Sequence, residues 1–224
     1  MKILAFDTST EFLSLACLDN GDVAAEIHER AGIKHSEILV PRIKDILEKA
    51  GWSIHDIELL AIGVGPGSFT GLRIGVSTVK GLSLVIRPRI VAVSSLDAIA
   101  MRAPEGKELI VPVLDAHKGK VYACVYERSR VGGPEKRTEY MLCNVESIKD
   151  KITEEAVVFG SAIDKYRSEL QKWPMARIMD NVDWFPRAVD IGRTALRLSS
   201  EAEIPAGDLE PMYLYSKECN ILKK

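Results

Sequence analysis

The glycine-rich segment at residues 63–81, GVGPGSFTGLRIGVSTVKG, constrains the fold of this chain more than any other feature. A short and mostly apolar run at 57–62 precedes it and predicts a buried strand. The Gly-Pro-Gly tripeptide at 65–67 predicts a sharp reversal, because glycine adopts positive φ without a steric clash and proline fixes its own φ. Ser68 and Thr70 are alternative N-caps for a helix that follows. The segment therefore predicts a strand, a tight loop and a helix in succession.

A helix N-terminus after such a loop presents backbone N–H groups that bind phosphate or another anion. The loop matches neither common phosphate motif. A Walker A loop continues as Gly-Lys-Ser/Thr, whereas Gly71 is followed by Leu-Arg, and Thr70 replaces the third glycine of the dinucleotide motif. Ser68 is not an elbow nucleophile, because Pro66 occupies the position of the required glycine. The alternative is a close-packed β-to-α turn without a ligand, which the residues alone favour.

Two glycines within the predicted helix, Gly71 and Gly75, lie about one turn apart on a face that Thr78 and Leu82 continue. Each helical glycine costs about 1 kcal/mol relative to alanine, so two of them on one face need a structural reason. The usual reason is the close approach of another backbone. Both the sheet beneath and a helix of a partner protein would satisfy this requirement, and the spacing does not decide between them.

Four motifs resemble the bacterial TsaB (YeaZ) family and occur in the same order. They are DTST at 7–10, HSE at 35–37, GPGSFTGLRIG at 65–75 and PMYL at 211–214. The GPGSFTGLRIG string is highly specific, and the resemblance runs over almost the whole chain. Members of this family are non-catalytic paralogues of TsaD in tRNA threonylcarbamoyladenosine biosynthesis. The resemblance implies an α/β fold of the actin-like, sugar-kinase-like (ASKHA) class.

This fold implies two related α/β halves, each with a mixed sheet flanked by helices. The segment APEGK at 103–107 is the best boundary, because proline, glycine and charged residues are typical of a linker. We therefore predict an N-terminal half at 1–103, which carries the dimerisation face, and a smaller C-terminal half at 104–224. The C-terminal helix is a candidate to pack back on the first half.

The first hairpin turn is the candidate nucleotide-binding position. In actin-like folds this turn carries an acid and hydroxyls that face nucleotide phosphates, and the resemblance places Asp7, Thr8 and Ser9 there. The alternative is that they only satisfy backbone groups of the turn. His117 favours this alternative, because its side chain would obstruct the backbone approach of a second phosphate loop. His117 and Tyr215 also stand near positions where the family more often has arginine. No cofactor of its own is therefore predicted, and ATP or ADP is expected only in the complex.

Metal-dependent chemistry is not predicted for this chain. The resemblance implies that the catalytic paralogues carry an H-x-x-x-H pair, in which two imidazoles one helical turn apart hold a metal. Ser95 and Ile99 occupy those positions, and the four histidines offer no comparable spacing. A lone histidine before a helix, such as His35, is more often a structural hydrogen-bonding residue than a ligand or base. No catalytic residue and no metal ligand are therefore predicted.

The resemblance also implies partners. It places a TsaD-binding face on the helices predicted at 36–50, capped by Ser36, and 70–86, and it implies binding to the ATPase TsaE. Family members also self-associate through these faces, which predicts a homodimer when the chain is alone. A net charge of −2 argues against unaided nucleic-acid binding, so tRNA is expected only through the complex. The candidate interface residues are Leu39, Ile43, Ile46, Gly71, Arg73, Ile74, Gly75, Ser77 and Thr78.

The predicted function is that of a scaffold subunit without activity of its own. The alternative is an actin-like ATPase or small-molecule kinase that uses Asp7 to orient a metal or water. A peptidase is less favoured. A cytoplasmic protein is expected, because the apolar run at 74–93 is broken by charges and proline and the cysteines show no C-x-x-C pair. The cysteines, predicted to be free thiols, are Cys17, Cys124, Cys143 and Cys219.

Overall fold

The structure is a computed structural model that describes residues 1–106, 108–129, 133–179, 184–198 and 202–215. The chain forms two compact units. The first contains Met1–Pro104 and Asp183–Pro211, and the second contains Glu105–Val182 and Met212–Lys224. This division differs from a single boundary after residue 103, because a late segment that includes a helix belongs to the first unit. Lys107 of the predicted linker lies outside the described residues.

The first unit is built on a five-stranded sheet in the order β3-β2-β1-β4-β5. β2 runs antiparallel to both β1 and β3, whereas β1, β4 and β5 run parallel to one another. The strand predicted before the glycine-rich loop is β4. The strands are β1 Lys2–Asp7, β2 Phe12–Asp19, β3 Asp22–Arg30, β4 Leu59–Gly63 and β5 Arg89–Val93.

Helices cover both faces of this sheet, because successive side chains of a strand point to opposite faces. Ala5 and Ala61 pack towards α6, whereas Phe6 and Ile62 face Gly75 of α2. A 3₁₀ turn at Ile54–Asp56 precedes β4. The helices of this unit are α1 His35–Ala50, α2 Phe69–Ser83, α3 Ser95–Ala100 and α6 Ala188–Leu198.

The ends of α1 correct one prediction and confirm another. Ser36 was predicted to cap this helix, but α1 already begins at His35, and Lys34 before it makes no side-chain cap hydrogen bond. The helix ends at residue 50 as predicted, and Gly51 caps it, because its φ of 69° places it in the left-handed region that favours glycine. Pro41 lies inside the helix without ending it.

The second unit contains a seven-stranded sheet with the path β10-β7-β6-β11-β12, to which β8 and then β9 add alongside β6. β11, α5 and β12 form a β-α-β unit, because β11 and β12 are parallel neighbours on either side of α5 in sequence. The elements are β6 Leu109–Asp115, β7 Val121–Ala123, β8 Tyr126–Arg128, β9 Pro134–Lys136, β10 Met141–Cys143, α4 Glu146–Lys149, β11 Ala156–Phe159, α5 Ile163–Leu170 and β12 Ala176–Ile178.

Two details of this sheet depart from a simple hairpin. β7 and β8 are separate strands, because β7 pairs with the end of β6 whereas β8 pairs further back at Ile110. The polar strand β9 pairs with β8 through main-chain hydrogen bonds that need no apolar side chains.

Within the described part of the chain, no helix is both long and apolar enough to cross a membrane. Cys17, Cys124 and Cys143 are free thiols, as predicted, and Cys219 lies outside the described residues. Burial raises the pKa of the Cys17 thiol to about 12. Cys17 is therefore a packing residue of the first sheet rather than a reactive group.

Candidate functional site

The loops that follow β1, β4 and β5 converge on the carboxylate of Asp7. Asp7 is the last residue of β1 and is only 1% exposed. Its Oδ1 accepts hydrogen bonds from the backbone N of Ser9 at 2.8 Å and from Ser9 Oγ at 2.7 Å. Its Oδ2 accepts one from Ser95 Oγ at 2.7 Å. The space is so limited that a Cβ atom at Gly63 would overlap this carboxylate.

The electrostatics of this site follow from its burial. Loss of hydration raises the pKa of Asp7, and the hydrogen bonds from Ser9 and Ser95 oppose that shift without cancelling it. His35 is also buried, and its Nε2 lies 3.3 Å from the carbonyl oxygen of Phe12, in agreement with the structural role predicted for it. Both carboxylate oxygens of Asp7 are therefore already engaged, by the hydroxyls of Ser9 and Ser95.

The other two residues of the turn hold the glycine-rich loop. Thr8 Oγ1 donates to the carbonyl oxygen of Gly71 at 2.8 Å, and Ser9 O accepts from the backbone N of Ser68 at 2.7 Å. Ser68 is also the N-cap of α2, and its Oγ accepts from the backbone N of Gly71. The polar groups of the turn therefore hydrogen-bond to one another and to the adjacent loop. This arrangement favours the alternative in which Asp7, Thr8 and Ser9 only satisfy hydrogen-bonding groups of the turn.

The two helical glycines face the same turn. A Cβ atom at Gly71 would overlap the carbonyl oxygen of Thr8, and one at Gly75 would lie 2.6 Å from Thr8 Oγ1 and 3.3 Å from Ile62 Cδ1. Close approach within the chain thus explains both glycines. Gly71 and Gly75 were predicted to lie at a partner interface, and the structure corrects this because both are buried against their own sheet.

Three more predicted interface residues require correction. Leu39, Ile43 and Ile46 are 1%, 5% and 0% exposed. They form the apolar stripe of α1, and a helix on a globular domain buries such a stripe against its own core. In the folded first unit, the side chains of these three residues therefore pack into its core.

The remaining four predicted interface residues share one accessible face of α2. Arg73 and Ser77 are exposed, and Ile74 and Thr78 are half-buried. They line an open groove of about 450 Å³. Sequence reasoning missed three of its residues, although an aromatic residue in the first turn of an exposed helix was a usable signal. The missed residues are Ser36, Phe69 and Thr70.

Phe69 and Arg73 form a stacked pair on this face. The guanidinium carbon of Arg73 lies 3.9 Å from the ring centroid of Phe69, within the range of a cation–π contact. Phe69 nevertheless keeps 42% of its surface exposed. We refer to Phe69, Arg73, Ile74, Ser77 and Thr78 as the α2 face.

The hairpin turn of the second unit contains His117, and Tyr215 contacts this turn. His117 adopts a φ of 59° and is exposed. Its backbone N donates to Asp115 Oδ1 at 3.0 Å, and Lys165 Nζ binds both oxygens of that carboxylate, at 2.9 and 3.0 Å. Tyr215 donates through its hydroxyl to the carbonyl oxygen of Ala116 at 2.8 Å. Asp115 and Tyr215 therefore stabilise this turn.

Ser95 and Ile99, where the resemblance implies a histidine pair in the catalytic paralogues, have a structural role in this chain. Ser95 and Ile99 are both fully buried on α3, and Ser95 binds Asp7. Among the described residues, no group of three or more His, Cys, Asp or Glu side chains is arranged to hold a metal ion.

We expect Asp7→Asn to be at least as stable as the unmodified chain at pH 7. Because the pKa of Asp7 is raised in the folded state, its favourable contribution is complete below the unfolded pKa of about 3.9 and is lost as pH rises through the folded pKa. An asparagine keeps the acceptor oxygen for Ser9, and its NH₂ group donates to Ser95 Oγ, without a buried charge. Urea unfolding at pH 7 and pH 4 measures this.

The expected advantage of Asp7→Asn is largest at pH 7 and shrinks as pH falls towards 4, because the raised pKa of Asp7 favours protonation of the native carboxylate as the pH is lowered. A variant clearly less stable than the unmodified chain at pH 7 would show that the carboxylate charge is needed for folding, and would contradict this assignment.

Comparison with known proteins supports one family. The family model for TsaD, tRNA N6-adenosine threonylcarbamoyltransferase, matches residues 25–170. The chain is 33% identical over 220 residues to the tRNA threonylcarbamoyladenosine biosynthesis protein TsaB of Escherichia coli K12, covering 96% of this chain and 94% of that protein. It resembles the solved structure of YeaZ from Pseudomonas aeruginosa with a TM-score of 0.78 and 26% identity, over 95% of this chain and 100% of that one.

A more distant likeness concerns the fold alone. Component A of (R)-2-hydroxyglutaryl-CoA dehydratase from Acidaminococcus fermentans superposes with a TM-score of 0.51 at 11% identity, over 90% of this chain and 100% of that one. The architecture is the α/β ASKHA fold, as predicted.

Proposed function

Because this chain belongs to the TsaB (YeaZ) family and takes part in tRNA threonylcarbamoyladenosine biosynthesis, we propose that it is the non-catalytic scaffold subunit of the modifying complex. In this role it binds TsaD as a heterodimer and also binds TsaE, and it forms a homodimer when alone. It meets tRNA only through the complex, in the cytoplasm, and any ATP or ADP is bound only in the complex.

The observation that carries this proposal is the α2 face. The face lies on the helix that follows the GPGSF loop, and its residues combine an exposed aromatic ring, a half-buried isoleucine and small hydroxyl side chains. Interfaces between proteins are enriched in aromatic residues and arginine, and small residues permit a second helix to approach closely. An exposed apolar surface of this kind supports protein binding rather than small-molecule chemistry.

Because five of the predicted interface residues are buried, the surface that we propose to bind TsaD is smaller than the sequence suggested. The apolar stripe of α1 is used inside the first unit, so α1 contributes to the groove only through Ser36 at its first turn. The proposed interface is therefore the α2 face together with Ser36 and Thr70. The same surface serves self-association in this proposal, so homodimer and heterodimer exclude each other.

The alternative function is an ATPase or small-molecule kinase of the actin-like superfamily that uses Asp7. Burial of Asp7 and its hydrogen bonds to Ser9 and Ser95 argue against this alternative, because the carboxylate is already engaged. A metal- or water-orienting carboxylate must reach the reacting groups. Asp7-dependent ATP hydrolysis by the purified chain, absent in Asp7→Asn, would favour the alternative.

Reconstitution of tRNA threonylcarbamoylation with TsaC, TsaD and TsaE tests the proposal directly. We expect modification to depend on this chain and to rise by at least about tenfold when it is added, while the chain alone hydrolyses no ATP. Heat-denatured chain serves as the control for non-specific protein effects. Modification that proceeds equally well without the chain would contradict the scaffold role.

A further inference from the structure

The hairpin turn between β6 and β7 places a lysine where the backbone disfavours it. The backbone N of Lys120 donates to the carbonyl oxygen of His117 at 3.0 Å, which closes a turn with Lys118 and Gly119 at its centre. Both central residues have positive φ, 50° and 76°, the pattern of a type I′ turn, which prefers asparagine followed by glycine. His117 is also left-handed, with a φ of 59°. Two consecutive non-glycine residues in this region cost conformational energy, so the backbone alone does not explain His117 and Lys118.

The turn carries positive charge that no acid beside it balances. We refer to residues 117–120 as the basic turn. Lys118 is exposed and Lys120 is half-buried, and within the described part of the chain the side chain of neither makes a hydrogen bond or an ion pair. Asp115 precedes the turn, but its carboxylate is bound by Lys165 Nζ at 2.9 and 3.0 Å. The charges of Lys118 and Lys120 therefore remain available to an anion.

The basic turn is held in place from two sides. The hydroxyl of Tyr215 donates to the carbonyl oxygen of Ala116 at 2.8 Å, and Asp115 Oδ1 accepts from the backbone N of His117 at 3.0 Å. The backbone N of Ala116 also donates to the carbonyl oxygen of Lys120 at 3.0 Å. A turn that is fixed before binding loses little conformational entropy when a ligand contacts it. The two lysines are thus presented to solvent from an ordered backbone.

This arrangement suits the phosphates of a polyanion better than a mononucleotide. A mononucleotide site needs glycine close to the backbone donors, whereas His117 carries a side chain there. A lysine ammonium is a compact point charge that binds phosphate without fixing its orientation. Contacts of this kind position a nucleic acid without reading its sequence.

On the basis of the proposed function, we propose that the basic turn contacts backbone phosphates of tRNA in the assembled modifying complex, through Lys118 and Lys120. Two charges are too few for unaided binding, which agrees with the net charge of −2. The contribution of this chain is therefore a contact that adds to the tRNA affinity of its partners.

Removal of both charges tests this contact. In a complex of this chain with TsaD and TsaE, we expect Lys118→Gln with Lys120→Gln to weaken tRNA binding about tenfold at about 100 mM NaCl. The slope of log affinity against log salt should fall in magnitude by about 1.5, because two phosphate contacts are lost. Fluorescence anisotropy of a labelled tRNA transcript measures both quantities.

The matched control removes two exposed lysines elsewhere in the second unit. Lys136 lies on β9, which joins the sheet through β8 near the start of β6, and Lys172 follows the end of α5. Lys136→Gln with Lys172→Gln makes the same change in net charge, and should leave tRNA binding within about twofold of the unmodified complex.

Two further variants separate the charge from the shape of the turn. Lys118→Asn installs the residue that a type I′ turn prefers, so the chain should unfold at a higher urea concentration while tRNA binding weakens about threefold. Lys118→Arg with Lys120→Arg keeps both charges and should bind tRNA within about twofold of the unmodified complex. A less stable Lys118→Asn variant would mean that the lysine serves the turn itself, and would count against the inference.

The outcomes distinguish this inference from the proposed function. Unchanged tRNA affinity of the double glutamine variant at Lys118 and Lys120, or an equal loss in the control, would overturn the contact and leave the scaffold role standing. If that variant failed to co-elute with TsaD, the basic turn would contact protein and the inference would be wrong. Failure of the unmodified chain to bind TsaD would overturn the scaffold role and the contact together.

Discussion

A Ser77→Arg variant is expected to fold as the unmodified chain does and to lose TsaD binding by at least about 100-fold. Ser77 is exposed in the middle of the α2 face, where a short side chain allows a partner helix to approach. A long cationic side chain would hold that helix away and would be desolvated without an assigned counter-charge. Arginine is at least as good a helix former as serine, so the folded state should keep its stability. Co-elution with TsaD and urea unfolding measure the two quantities.

Ser168→Arg is the matched control, because Ser168 is an exposed serine on α5 of the second unit. It should leave TsaD binding within about twofold of the unmodified chain. If Ser77→Arg unfolds at the same urea concentration as the unmodified chain and still co-elutes with TsaD, the α2 face is not the interface.

The choice of Ser77 over Gly75 follows from the structure. Both residues belong to the predicted interface, but a side chain at Gly75 would press on Thr8 and Ile62 inside the first unit. Lost binding by a Gly75 variant would therefore report lost folding. Ser77, two residues later on a helix, points about 200° away from Gly75, towards solvent.

Helical periodicity in the sequence identified the apolar stripe of α1 correctly. The stripe was predicted to bind a partner protein, whereas in the structure it packs inside the first unit. The spacing of Leu39, Ile43 and Ile46 shows that these side chains share a buried face. It does not show whether the chain's own sheet or another protein buries them, because both surfaces are apolar. Composition within α2 was more informative, since the exposed positions carry arginine and hydroxyl groups that a core would not contain.

The hydrogen bonds around Asp7 were beyond sequence reasoning for a different reason. Its partner Ser95 is 88 residues away along the chain, and only the parallel order of β1, β4 and β5 brings the two together. The tight loop after β4 was predictable because its signal is local, in the glycine and proline residues at 65–67 and the cap at Ser68. A tight turn and a helix cap depend on neighbouring residues, whereas the burial of a carboxylate depends on the completed sheet.

The packing of α6 in the first unit could not be predicted either, because it also depends on contacts between residues far apart along the chain. α6 is an amphipathic helix that begins at Ala188 and ends at Leu198. Its buried residues, including Ala188, Ile191 and Ala195, pack with Ala5 and Ala16 of the first sheet. An apolar stripe shows that a helix packs against another element, but it does not show which sheet that element is.

Gly71→Ala is expected to destabilise the first unit, although alanine is the better helix former. The new Cβ would overlap the carbonyl oxygen of Thr8, which is backbone at the end of β1 and has little freedom to move. Overpacking of this kind costs about 3 kcal/mol, and the gain in helix propensity returns about 1 kcal/mol. The free energy of unfolding should therefore fall by about 2 kcal/mol, as measured by urea denaturation.

Gly81→Ala provides the matched control on the same helix. Gly81 is exposed, and a Cβ atom there meets no other atom within 4 Å, so only helix propensity changes and stability should rise by about 1 kcal/mol. The two variants share their chemistry and should differ by about 3 kcal/mol, because one faces Thr8 and the other faces solvent. Equal effects of the two substitutions would mean that the approach of α2 to the Asp7 turn does not constrain the fold. A loss confined to Gly71→Ala would establish that this contact, rather than a partner helix, requires the glycine.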